Sequence, residues 1–148
     1  MISPERLRRY PHCANAPDEL LREVAMIAQE RTFVADERLF EEGSSANYFM
    51  FLEAGEIDIV YRLADNREVV VDSLVAGDSL GWSSLLDPYT FSTSGIARQD
   101  GVLIEIDGRG LQKICDSNPA YGLQLMTYVA RTLRGRLLAS LVQLAAQS

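Results

Sequence analysis

The chain has 148 residues, 14 basic against 21 acidic side chains for a formal charge of -7, and 47% hydrophobic residues, enough for one globular domain with no room for a second. One histidine excludes a multi-histidine metal centre, and two cysteines exclude a disulfide scaffold or a four-cysteine zinc or iron-sulfur site, so no metal and no cofactor is expected. The longest apolar stretches are a few residues, and Arg6, Arg8 and Arg9 are followed by no apolar signal core, so neither a membrane span nor a secretory leader is expected and a cytoplasmic location is.

In chain order, Pro17 suits the first turn of a helix, Asp18 and Glu19 sit at the positive end of its dipole, and Leu20, Leu21, Val24, Ile27 and Ala28 recur at helical spacing. This predicts a helix from about Pro17 to Gln29. The period then changes. Segments Arg31 to Ala35, Arg38 to Glu41, Tyr48 to Leu52, Glu56 to Leu63, Arg67 to Val75, Thr90 to Arg98 and Val102 to Asp107 are short and rich in Val, Ile, Phe and Tyr. Ile57, Ile59 and Tyr61 alternate with Glu56, Asp58 and Val60, as Val102, Ile104 and Ile106 do with Glu105 and Asp107, which reads as half-buried antiparallel strands. Glycines 43, 55, 77, 81 and 101 mark the joints, and Asp65-Asn66 supplies a turn between two long strands. Seven or more such strands predict a sandwich or jelly-roll barrel.

Asp107 reads as the N-cap of a short helix through Leu111 and Ile114 to about Asp116. Asn118-Pro119 then opens a long helix, about residues 118–147. Along it Leu123, Met126, Ala130, Leu133, Leu137, Ser140 and Leu144 step by three and four, and Leu125, Val129, Leu138, Leu141 and Val142 form a second apolar row. A helix with two apolar faces packs one on the barrel. The other is either further core or the seam of a parallel helix pair in a homodimer, with Met126, Ala130, Leu133, Leu137, Ser140 and Leu144 at the interface. Charge is unevenly placed: residues 1–116 hold 11 basic and 21 acidic side chains, whereas residues 117–148 hold Arg131, Arg134 and Arg136 and no acid. An acidic body with one small basic patch is a poor match for nucleic acid phosphates, so no direct nucleic acid binding is expected.

Leu39-Phe40-Glu41-Glu42-Gly43, separated by eleven residues from Gly55 in Phe51-Leu52-Glu53-Ala54-Gly55-Glu56-Ile57, then Gly77-Asp78-Ser79-Leu80-Gly81, resemble the cyclic-nucleotide-binding domain of the catabolite activator protein superfamily. Ile104 to Asp107, the Leu111 helix, Asn118-Pro119 and Val129 to Arg134 continue the resemblance, which covers about Leu20 to Leu144. It implies an eight-stranded jelly roll, mainly β, with a short N-terminal helix and a long dimerising C-terminal helix. It also implies a regulatory function. In the family a helix-turn-helix domain commonly follows that helix. This chain stops at Ser148, which reads as a stand-alone sensor or as the sensor half of a transcription regulator.

The resemblance further implies a phosphate cassette after Gly81, with a glutamate beside that glycine for the ribose hydroxyl and an arginine about ten residues on for the cyclic phosphate. A buried phosphate needs that cation. Here the glutamate position is Trp82 and the arginine position is Phe91, or Thr90 with a one-residue shift. What remains is Ser83, Ser84, Thr90, Ser92, Thr93 and Ser94 around a possible short helix from Trp82 to Leu86, whose amides suit at most a weak anion. Trp82 and Phe91 either fill a vestigial pocket or line an apolar site for an uncharged or aromatic effector. The candidate pocket is therefore Gly81, Trp82, Ser83, Ser84, Thr90, Phe91, Ser92 and Thr93. Arg136 joins it because the family's base-contacting residues lie nearby on the long helix, although a solvated flank residue is the plainer reading. Cyclic AMP and cyclic GMP are expected to bind poorly.

Pro11-His12-Cys13 admits a haem or redox reading, since both side chains are capable ligands. Packing of two semi-polar side chains against the core is the simpler one, and Cys115 reads as core. Adjacent side chains usually point apart, which argues against a Cys13-His12 catalytic pair. No enzyme activity is expected.

Overall fold

The computed structural model describes residues 1–148. Two short helices, α1 (Pro4–Leu7) and α2 (Asp18–Met26), lead into eight strands: β1 (Ala28–Phe33), β2 (Arg38–Phe40), β3 (Tyr48–Ala54), β4 (Glu56–Arg62), β5 (Glu68–Val75), β6 (Ser79–Leu80), β7 (Ser94–Ala97) and β8 (Gly101–Asp107). A 3-10 turn (Trp82–Leu85) separates β6 from β7, and α3 (Gly108–Ser117) and α4 (Pro119–Ala146) end the chain. The strands form two four-stranded antiparallel sheets, ordered β1-β8-β3-β6 and β2-β7-β4-β5. This is the mainly β jelly roll with flanking helices that the sequence predicts.

In the first sheet β3 and β8 are buried on both faces, not half-buried as alternation suggested, while the edge strand β1 is largely exposed along its middle. On β3, Phe49 and Phe51 join a core built with α1, α2, α3 and α4, while Met50 and Leu52 join a second core facing the other sheet. Ile104 and Ile106 on β8 go to the helical core, and Leu103 goes to the inner one. Helices cover what would otherwise be the solvent face, so Tyr48-Phe49-Met50-Phe51-Leu52 is apolar throughout. Glu105, expected on a polar face, is buried too, and is satisfied by Gln29 Nε2 at 3.0 Å and Arg31 Nη1 at 3.4 Å.

Several expected boundaries move. The first helix ends at Met26 because Ala28 is already paired with Ile106 in β1, so Val34 and Ala35 lie beyond the strand. The β4 alternation holds only to Ile59. The pairing with β5 shifts register between Ile59 and Val60, with Val71 of β5 as the extra residue; Val60 is buried outside both cores and Tyr61 is 47% exposed. Asp58 is buried and held by Arg98 Nε and Ser73 Oγ. The strand expected from Thr90 begins at Ser94, because residues 90–93 serve the loop around the pocket described below. α1 and the two-residue β6 carry no periodicity strong enough to be seen in the sequence.

α4 has two unlike halves. Tyr121, Leu125 and Val129 are buried in the helical core, and Tyr128 fastens the helix to β6 by donating to Ser79 Oγ at 3.1 Å. From Leu137 onward every residue is exposed. Met126, Ala130, Leu137, Ser140 and Leu144 of the heptad stripe face outward, but Leu133 is half-buried and turns inward against the core. The outer row gains Leu138, Leu141 and Val142.

Candidate ligand pocket

The pocket begins at a backbone constraint. Gly81 ends β6 at φ +76°, and a Cβ there would lie 2.4 Å from the Tyr48 carbonyl oxygen, so only glycine fits. The 3-10 turn that follows is locked from beneath: Ser84 Oγ donates to the Gly81 carbonyl at 2.7 Å, and Gln112 Nε2 of α3 donates to the Ser84 carbonyl at 3.1 Å. This sets the Trp82 ring on the wall of a cavity of about 240 Å3.

Phe91 lines the same cavity. Its ring stacks on Phe40 with centroids 4.3 Å apart and planes 17° from parallel. Phe40 in turn lies over Gly95, where an added Cβ would sit 2.4 Å from the ring. The Phe91 backbone is clamped to the β2–β3 loop, donating to the Ser44 carbonyl at 2.9 Å and accepting from the Gly43 amide at 2.8 Å. Ile59, Leu74, Leu80 and Leu133 complete the apolar lining, and Ser83, Ser92 and Thr93 add hydroxyls.

Arg136 reaches over the mouth from α4. Its guanidinium lies 5.0 Å from the Trp82 ring centroid, and Nη1 donates to Asp72 Oδ2 on β5. Arg136 Nε is buried and has no acceptor. On the far side of this ion pair, a more polar cleft of about 330 Å3 runs between β5 and α4 along Thr132, Gly135, Ala139 and Gln143. The Arg136–Asp72 pair is thus a partition between an apolar interior and an open cleft, and it ties the long helix to the pocket.

The structure gathers Gly81, Trp82, Ser83, Phe91, Ser92, Thr93 and Arg136 around one cavity. Two predicted residues are elsewhere. Ser84 is buried, its hydroxyl spent on the Gly81 carbonyl. Thr90 bridges to Ser45 and lines a separate cleft beside Arg109 and Lys113 of α3. Ser94 is likewise outside, buried and accepting from the Glu42 amide at 2.8 Å. Sequence reasoning missed Asp72 and Phe40. The one signal for Asp72 was an acid interrupting the apolar run Val69-Val70-Val71 before Leu74. Nothing local marked Phe40, because its role depends on the bare backbone of Gly95 in a distant strand.

His12 and Cys13 do meet, contrary to the expectation that neighbours point apart. A tight turn over Pro11–Asn15 brings Cys13 Sγ within 3.3 Å of His12 Nε2. Burial holds the His12 imidazole neutral, its pKa pushed down to about 4, and pushes the Cys13 thiol up to about 11. Neither group is activated. The imidazole packs among Phe51 (5.2 Å) and Tyr128 (4.8 Å), and Cys13 has no exposed surface. No group of three or more His, Cys, Asp or Glu side chains converges as a metal site, and no helix is long and apolar enough to cross a membrane.

Comparison with known proteins agrees with this architecture. The family model for the cyclic nucleotide-binding domain matches residues 30–118. A crystal structure from Geobacter metallireducens, described as that of a cyclic nucleotide-binding protein, is 36% identical, covers 93% of this chain and 99% of that one, and superposes with a TM-score of 0.81. The N-terminal domain of a transcriptional regulator from Streptomyces coelicolor is 27% identical over 87% and 92% of the two chains, with a TM-score of 0.70. The catabolite activator protein of Thermus thermophilus is 21% identical over 97% of this chain and 63% of that one, with a TM-score of 0.73, a likeness of fold. A search of curated proteins returned no match. With the family match spanning more than half the chain and the jelly roll and long helix in place, the protein belongs to the cyclic nucleotide-binding domain family.

Proposed function

We propose that the chain is a non-catalytic sensory module that binds a small effector other than cyclic AMP or cyclic GMP in the Trp82–Phe91 cavity. It acts as a cytoplasmic homodimer paired through α4. The carrying observation is the cavity itself: about 240 Å3 remains open between Trp82 and Phe91, so the two aromatic rings are walls rather than plugs. The family name favours a cyclic nucleotide, but the pocket opposes one. Where the family carries a glutamate and an arginine, this chain carries Trp82 and Phe91, and the one cation at the cavity is already paired with Asp72. A cyclic phosphate there would be desolvated with no free counter-charge.

The dimer is supported by the outer half of α4. Leu137 at 58%, Leu141 at 50% and Leu144 at 64% exposure form an apolar row with no partner in the chain. That row equally favours a second reading, a dimerisation scaffold whose cavity takes nothing. Native mass spectrometry of protein purified from its own host separates the two. A co-purifying small molecule on each protomer is the expected result; a bare dimer supports the scaffold.

A further inference from the structure

The chemistry of the cavity narrows the class of effector, on the reading that the cavity is a sensor site. Among the residues around it, Arg136 is the one cation and Asp72 the one acid, and they bond to each other. The site is therefore neutral as a whole. An anionic ligand must either sit beside the Asp72 carboxylate or displace it. A cationic ligand meets the guanidinium. The chain's net charge of -7 adds to the penalty on an anion.

Arg136 nevertheless has one unfilled need. Nε is buried and donates to nothing, while Nη1 is committed to Asp72. A buried donor without an acceptor is costly, and a single uncharged oxygen satisfies it without disturbing the ion pair. The walls set the shape. Phe91, backed by Phe40, and the side chains of Ile59, Leu74, Leu80 and Leu133 give a lining suited to an aromatic ring, while the Trp82 ring at the rim is covered by the Arg136 guanidinium. An apolar cavity of about 150 Å3 holds benzene. About 240 Å3 accommodates one substituted ring or two fused ones.

We propose that the cavity takes an uncharged planar compound of one or two rings bearing a hydrogen-bond-accepting oxygen, with its ring among Phe91 and the aliphatic lining, its oxygen on Arg136 Nε and the Arg136–Asp72 pair intact.

Trp82 is the only tryptophan in the chain, so its fluorescence reports directly on the cavity. Benzamide, benzoate and benzylamine share one ring and differ in charge. Titration of the full chain is expected to give saturable quenching by benzamide at millimolar concentration, as befits so small a compound. Benzoate and benzylamine are expected to bind at least tenfold more weakly. Asp72→Asn, which frees the guanidinium without removing it, is expected to close or reverse the gap between benzoate and benzamide. Arg136→Met is expected to weaken benzamide itself at least fivefold. Benzoate or benzylamine binding the parent as tightly as benzamide would overturn the ligand class while leaving a sensor in place. Quenching by none of the three would also overturn it, and a molecule co-purifying with the native protein would then still uphold the sensor reading.

Discussion

The two hydrophobic cores share one sheet and are finished differently. On the outer face of β1-β8-β3-β6, Phe49, Phe51, Ile104 and Ile106 are sealed by the helices, and even the polar groups of His12 and Tyr121 are drawn in among apolar neighbours. On the inner face, Met50, Leu52, Leu80 and Leu103 meet the second sheet in a smaller cluster, and space remains beside it under Trp82, Phe91 and Arg136. A close-packed interior resists leaving such space. The helical core is sealed, the barrel core borders the cavity, and α4 touches both, through Leu125 and Val129 in the helical core and Arg136 at the cavity.

This contrast is broken most severely in the helical core. Phe51→Ala removes a fully buried ring that stacks on Tyr10 at 4.0 Å, and is expected to lower the unfolding free energy by about 3–5 kcal/mol in urea. Phe91→Ala removes a partly exposed ring from the pocket wall and is expected to cost only about 1 kcal/mol or so, from lost stacking on Phe40. Equal costs would erase the distinction between the two cores.

Acid sharpens it. The folded chain resists protonation of His12 down to about pH 4, whereas the unfolded chain accepts the proton at the ordinary value near 6.5. Stability from this residue is therefore full above about pH 6.5 and is lost as the pH falls, by about 1.4 kcal/mol per unit, reaching about 3 kcal/mol near pH 4. Urea denaturation of the parent and His12→Phe at pH 7, 6 and 5 is expected to show the parent's curve falling more steeply. Parallel curves would mean the imidazole is not buried neutral.

The two halves of α4 provide the mildest perturbation of the fold. Leu137→Glu with Leu144→Glu alters only exposed side chains, so melting of the isolated protomer is expected to move little. Sedimentation is expected to shift from dimer to monomer at micromolar concentration, since like charges then face each other across the seam. A parent that already sediments as a monomer contradicts the dimer.

How much of this the sequence disclosed follows from what each feature depends on. Elements set by local chemistry were legible: Pro119 opens α4 as expected, although the side chain of Asn118, read as its N-cap, instead donates to the Ile114 carbonyl of α3, and Asp107 caps α3 by accepting from the Gly110 amide at 2.8 Å. The family resemblance, rather than local chemistry, implied a pocket wall between Gly81 and Thr93, and Gly81, Trp82, Ser83, Phe91, Ser92 and Thr93 of that stretch line the cavity. Features that depend on distant partners were not legible. The register shift at Ile59 and Val60 arises from pairing with β5, the Arg136–Asp72 partition joins residues 64 positions apart, and the His12–Cys13 contact follows from a turn packed under Phe51 and Tyr128. Thr90 and Ser84 had the right residue type and the right neighbourhood, but their directions are set by Ser45 and the Gly81 carbonyl.

The central claim is that this cavity lacks the means to hold a cyclic phosphate. Calorimetric titration with cyclic AMP and cyclic GMP tests it directly. Loss of a charge-assisted pair worth about 1.5–3 kcal/mol, together with the ribose acceptor and the volume of Trp82 and Phe91, predicts binding at least about a hundredfold weaker than in an arginine-bearing pocket. Micromolar binding of either nucleotide would contradict the account, and its disappearance in Arg136→Ala would show that the long helix supplies the missing charge.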